Sequence, residues 1–285
     1  MATSIHTARW IDQVFGQGWD LHLFPSEDVG TVHPALANVT VYHSMHGGNS
    51  GGDALKTRGL NVLSRKVAWV ARRAAKEVFP DYRARQLARV IEKIKPDIIH
   101  SMEIQAAGYL VLAAKQYCKA EFPPWIVTNW GSDIYLFGRL KEHRPVIEKV
   151  LAQSDYYSCE CCRDVSLAHT HGFTGKVLPI FPNTGGFDMA RIERLRSATK
   201  TSQRRIIMLK GYQGWAGRAF VGLRALERCA DILNGYIIRI YSPDQDVLIA
   251  AELFSLNTGM PVEIIPKGAS HEEILASHGQ ARISI

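Results

Sequence analysis

The 285-residue sequence has no apolar run near the roughly 20 residues that cross a bilayer, because Lys, Arg, Asp or His interrupts every candidate stretch. A helical membrane protein is thereby excluded as a reading. The opening residues, Met1-Ala-Thr-Ser-Ile-His, carry no charged segment followed by an apolar one, so no secretory signal is read there and a cytoplasmic location is the expectation. Cysteine is scarce. Its five positions (118, 159, 161, 162 and 229) are an odd number, which argues against a disulfide framework. Cys159-Glu160-Cys161-Cys162 lacks the two-residue gap of a zinc knuckle and a second ligand pair, so no metal is assigned. In a strand, Cys159 and Cys161 share one face, and ordinary packing explains them. No internal repeat or low-complexity tract occurs.

What is present points to a globular chain with an anionic partner. A 46 % hydrophobic content supports a sizeable core in one large or two moderate domains. The net charge of +7 and pI near 9.2 suit nucleic acid, anionic lipid or a phosphorylated small molecule. Between Ser64 and Asp97, ten basic residues face four acidic ones, leaving +6. Val62, Leu63, Val67, Val70 and Ala71 interleave with them at helical spacing. Two readings follow: a solvated helix whose apolar side packs on the core, or a surface for anionic membrane at the inner face of the plasma membrane. Nucleic acid is not expected, because the aromatics are not interleaved with the basic residues and no recognition motif accompanies them.

Short runs rich in Val, Ile and Tyr alternate with helical-period stretches, the pattern of βα units in a parallel sheet. The expected strands are 20–24, 39–42, 97–100, 125–128, 156–160, 176–180, 205–209, 236–241, 261–265 and 282–285. Ser4 or Thr7 is expected to cap a helix that stops at Gly16-Gln17-Gly18. The glycine-rich segment 43–52 reads as a flexible loop. Turn residues cluster at 181–188, and a polar, helix-like connector over 189–203 precedes a new βα series. Two Rossmann-like lobes are therefore expected, 1–185 and 186–285. The order opens on a helix and closes inside the apolar run 281–285, so the expectation is a chain cut before its C-terminal end, with a first strand also missing.

Ligands of open parallel sheets bind beyond the carboxyl ends of the strands. Glu103 follows the strand 97–100, and Asn129-Trp130-Gly131-Ser132-Asp133 follows 125–128. This spacing brings Glu103 and Asp133 toward one edge as candidate catalytic carboxylates; a competing reading has Asp133 capping a helix from Ile134. After 205–209 comes Lys210-Gly211-Tyr212-Gln213-Gly214-Trp215-Ala216-Gly217-Arg218-Ala219 and an apolar helix. It is neither a Walker loop nor GxGxxG. Its glycines, the unpaired N–H groups expected at the helix start, and the cations Lys210 and Arg218 nevertheless suit a diphosphate. A glycine-rich turn with surface cations is the competing reading. Tyr241-Ser242-Pro243 and Pro266-Lys267-Gly268 line the same edge. The candidate donor-site residues are Lys210, Gly214, Arg218, Tyr241, Ser242 and Lys267.

The succession His6 to Trp10, Lys95 to His100, Trp130-Gly131-Ser132-Asp133 and Pro182-Asn183, then Lys210 to Leu226, resembles glycosyltransferase family 4 over nearly the whole chain. Arg218 falls at that family's pyrophosphate-binding lysine, and Tyr212 stands where its arginine belongs. The resemblance implies a GT-B-like α/β fold of two doubly wound parallel-sheet lobes, the second incomplete. It also implies a nucleoside diphosphate sugar in the C-terminal lobe, a glycan or lipid-linked acceptor in the N-terminal lobe, and transfer with retention, without metal or other cofactor. The family's Glu-x7-Glu pair would follow the last strand and does not occur in 1–285, so the expectation is a chain that binds nucleotide and turns over little. A non-catalytic nucleotide-sugar-binding or scaffold module, and a nucleotide-sugar epimerase or phosphorylase, are the alternatives on the same architecture.

Overall fold

A computed structural model describes residues 2–47, 55–62, 64–183, 186, 188–214 and 217–285. Gly48 to Gly52 of the expected loop, Leu63, the boundary residues Thr184, Gly185 and Phe187, and Trp215 and Ala216 lie outside them. The chain divides into two compact units, Met1–Gly186 and Phe187–Ile285.

Unit 1 runs α1 (Ile5–Val14), β1 (His22–Leu23), β2 (Val39–His46), β3 (Leu55–Asn61), α2 (Arg65–Val78), α3 (Tyr82–Ile94) and β4 (Ile99–Met102). A single π-helical turn, Ile104–Gly108, leads into α4 (Tyr109–Lys115), followed by β5 (Trp125–Thr128), α5 (Ser132–Tyr135), α6 (Arg144–Gln153), β6 (Tyr156–Ser158), α7 (Cys162–Thr170) and β7 (Lys176–Val177). Its strands form two parallel sheets, β1-β2-β3 and β4-β5-β6-β7. Local signals set the ends. Ser4 caps α1 by accepting the His6 N–H at 3.2 Å, and α3 stops where Lys95 turns left-handed (φ 49°) immediately before Pro96. The larger core closes Trp125, Val127 and Tyr157 under Leu112, Ile147 and Leu151, and a smaller one joins Ala8 and Ile11 to Val39, Val41 and Leu55.

Three expectations fail in this unit. The strand from Val39 does not stop at Tyr42; it continues through His46, and a further strand, β3, pairs with it. The reason is tertiary. Asp28, whose side chain is buried in the loop after β1, accepts the Ser44 N–H at 2.8 Å and meets His43 Nδ1 at 3.0 Å. Burial alone would raise the Asp28 pKa, but His43, the Arg83 charge and Ser44 outweigh it and hold the carboxyl at about 2. Within the 64–97 stretch α3 packs Leu87, Ala88 and Ile91 inward as expected, but α2 does not: only its Ala68 and Arg72 are buried, and Val67 and Val70 face solvent. Third, Cys159 and Cys161 share no strand face, since β6 ends at Ser158; the Cys159 thiol donates instead to the Cys161 carbonyl at 3.4 Å.

Unit 2 runs α8 (Met189–Arg194), β8 (Ile206–Lys210), α9 (Ala219–Arg228), β9 (Ile237–Tyr241), α10 (Gln245–Thr258), β10 (Val262–Ile265), α11 (His271–Gln280) and β11 (Ala281–Ser284). The expected helical connector is only the six residues of α8. All strand pairs are parallel, in the order β10-β9-β8-β11, so the winding reverses between β8 and β11. Leu209, Ile238 and Ile240 meet α9 and α10 on one face, and Met208, Ile265 and Ala281 close against Ile274 on the other.

Candidate active site

In unit 1 the loops after β4 and β5 bring the two candidate carboxylates to one place. Glu103 stands at a φ of 94°, a strained conformation for a residue with a side chain, and accepts the Ala106 N–H at 2.8 Å. Asp133, 2 % exposed, is not the cap of its helix. Its Oδ1 accepts the Trp130 N–H at 2.9 Å and its Oδ2 accepts the Ile104 N–H at 3.2 Å, so one carboxyl ties both loops together. Burial pushes the Asp133 pKa up to about 6 against these hydrogen bonds, with the Glu103 charge adding to the rise, and burial also raises Glu103. Two carboxyl groups whose proton affinity is raised by burial suit proton exchange with a bound hydroxyl.

Aromatic and amide groups build the rest. Trp10 of α1 stands edge-on to His100 at 5.5 Å and stacks on Phe181 at 6.1 Å. His100 Nε2 lies 2.6 Å from Thr128 Oγ1, and burial lowers its pKa to about 4. Asn129 donates to Asp164 at 2.8 Å, and Ser158 donates to Asn183 Oδ1 at 3.2 Å. Trp130 Nε1 and Asn183 Nδ2 are buried without a partner among the described residues, two donors that a ligand oxygen would satisfy.

In unit 2 the six candidate donor residues all occupy the carboxyl edge of the sheet. Lys210 ends β8 in register with Tyr241 of β9. Its ammonium lies 4.4 Å from the Tyr212 ring centre. Gly214 takes a φ of 147°, open to glycine at no steric cost, and Arg218 immediately precedes α9. Ser242 is buried in the left-handed region at φ 52°, and its N–H donates to Ile265 at 2.9 Å. Lys267 binds Asp244 Oδ1 at 2.5 Å, while Asp244 Oδ2 accepts the Gln213 N–H at 2.8 Å. The Lys267 charge, with that N–H, lowers the Asp244 pKa.

The helix start does not offer the free N–H groups expected of it. Ala219 donates to the Tyr212 carbonyl at 3.1 Å, and Phe220 donates to the Gln213 side-chain oxygen at 3.0 Å. The loop folds back on itself through the Gln213–Arg218 bridge and caps its own helix. Positive charge on this edge therefore comes from the side chains Lys210 and Arg218 more than from the helix terminus.

A family model described as glycosyl transferase 4-like matches residues 1–160, more than half of the chain. The chain belongs to this family. The fold agrees: a glycosyltransferase from Rickettsia africae ESF-5 superposes with a TM-score of 0.52 at 11 % identity, over 97 % of this chain and 66 % of that one. This chain thus spans just under two thirds of that enzyme's length, and the likeness places it among GT-B folds. Two weaker likenesses are S. aureus MnaA solved with UDP (TM-score 0.45, 15 % identity, 82 % and 66 % covered) and Os79 from O. sativa in complex with UDP (0.49, 9 %, 99 % and 74 %). Among curated proteins nothing matches.

For this glycosyl transferase 4-like chain, sequence reasoning missed Trp10 as a wall, Asp164 and Asn183 as partners of the β5 and β6 loops, and Gln213 and Asp244 as organisers of the donor loop. Asn183 was visible as a turn residue and as part of the Pro182-Asn183 pair that carries the resemblance, not as the acceptor for Ser158. Asp244 follows Pro243 in a loop already singled out, and its acidity in a cation-rich edge was the available signal.

Proposed function

We propose that this protein transfers a glycosyl group from a nucleoside diphosphate sugar to a glycan or lipid-linked acceptor, with retention and without a metal. The observation that carries the reading is in unit 2. The sheet reverses its winding between β8 and β11, and Lys210, Gly214 and Arg218 stand at that carboxyl edge. Charge grows on the diphosphate as its bond to the sugar breaks, and two side-chain cations stabilise it there without a divalent ion. Tyr241, Ser242 and Lys267 line the same edge for the nucleoside. In unit 1, Glu103 and Asp133 exchange protons with the acceptor hydroxyl, and the unpartnered Trp130 and Asn183 donors hold it. The basic stretch 64–97 brings the protein to the inner face of an anionic membrane.

Calorimetry with UDP and GDP tests the donor site. Arg218→Ala should bind about tenfold more weakly than wild type, since a charge-assisted hydrogen bond is lost; equal affinities would remove the assignment. A second reading, a module that binds nucleotide sugar without transferring it, is favoured by one observation: both Asp133 oxygens are already committed to backbone N–H groups. Acceptor-dependent release of UDP separates the two.

A further inference from the structure

Helix α2 attaches to unit 1 in an unusual way. Arg72 donates to the Met45 carbonyl at 2.6 Å and the Val29 carbonyl at 2.9 Å, and Gly30 lies so close to its guanidinium that no Cβ fits between them. A buried cation thus makes the attachment that valines make in most amphipathic helices, and the valines stay outside. Val67, Val70 and Val78 are 54 %, 57 % and 67 % exposed. With Ala71 and Ala74 they recur at i, i+3, i+4, i+7 and i+11, one continuous flank of the helix. Another flank carries Arg65, Lys66, Arg73 and Lys76, all exposed, against one acid, Glu77, which meets Arg73 at 3.4 Å. Trp69, 55 % exposed, lies among these cations, with the Arg73 guanidinium 5.6 Å from its ring centre.

We infer that α2 lies in the plane of an anionic bilayer, its valine stripe in the headgroup–acyl boundary and its basic flank on the lipid phosphates. This deepens the membrane contact proposed above by naming the helix and the side that enters. The two flanks together select a bilayer over a protein partner. Protein interface cores are depleted in lysine and built on aromatic anchors, whereas this stripe is shallow valine and alanine beside four cations. A bilayer supplies hydrocarbon and anions within one helix width, and Lys66 and Arg73, about 100° around the helix from the stripe, are the cations placed to reach the phosphates.

Flotation of the full chain with vesicles, without nucleotide, is the test. Wild type should float with phosphatidylcholine–phosphatidylglycerol vesicles at low salt and not with phosphatidylcholine alone. The triple change Val67→Ser, Val70→Ser, Val78→Ser should abolish flotation with the net charge unaltered. Lys66→Ser with Arg73→Ser should weaken binding roughly 25-fold, about fivefold per cation. All five side chains are exposed, so thermal unfolding of the variants should match wild type. The inference is overturned by a wild type that stays unbound, by a triple variant that floats as well as wild type, or by a dimer that the triple variant dissolves. UDP calorimetry on wild type separates it from the donor reading: a wild type that binds UDP and does not float sinks the membrane helix alone, and one that floats and does not bind UDP sinks the donor site alone.

Discussion

The two candidate sites are built on opposite physical plans. In unit 1 the candidate groups are a buried acid, Asp133, and a half-buried one, Glu103, each engaged by backbone N–H groups and each shifted toward its protonated form by desolvation. In unit 2 they are side-chain cations at a sheet edge, held by a loop that caps its own helix. Asp133 holds two loops together by backbone hydrogen bonds, so altering it destabilises the fold whatever chemistry it performs. Exposed cations of the second kind contribute little to folding.

The largest expected effect tests that contrast directly. Asp133→Ala leaves the Trp130 and Ile104 N–H groups without their acceptor and should lower the unfolding free energy by about 3 kcal/mol in urea titration at about pH 4, where the Asp133 contribution is largest, at roughly 1–3 kcal/mol for each buried unsatisfied group. Arg218→Ala should stay within about 0.5 kcal/mol of wild type. Equal losses in the two variants would break the comparison.

A pH test sharpens it. An acid whose native pKa is raised binds more protons when folded. The Asp133 contribution is therefore complete below its ordinary 3.8 and is lost as pH rises through about 6. His100 runs the other way: its native pKa is lowered from 6.5 to about 4, so its contribution is present above 6.5 and lost as pH falls through about 4. The two slopes oppose each other across nearly the same window. His100→Gln should expose the Asp133 slope, a loss of roughly 2–3 kcal/mol between pH 4 and 7 at about 1.4 kcal/mol per unit. A flat profile in that variant would show that Asp133 is not shifted.

The smallest effect belongs to the donor loop. Gln213 competes with any anion for the Phe220 N–H. Gln213→Ala should tighten UDP binding up to about fivefold, the worth of one helix-cap hydrogen bond. Weaker binding would mean that Gln213 shapes the loop for the nucleotide and does not block it.

Much of this molecule is local. The parallel α/β plan, the strand Trp125–Thr128 to the residue, and the Ser4 cap follow from β-branched runs, helical periods and capping residues, all of which act over a few positions. The loops holding Glu103, Asp133 and the Lys210–Arg218 segment were legible for the same reason: they follow strands. What the sequence left open depends on partners far along the chain. β2 runs on through His46 because Asp28 and β3 hold it, Asp133 bridges two loops where a local cap was an alternative, and Gln213 with Asp244 closes the helix start. The valines of α2 had the spacing of a core face, and spacing cannot say which flank is covered. Arg72 decided that, by reaching the Met45 and Val29 carbonyls that only the folded chain brings within hydrogen-bonding distance.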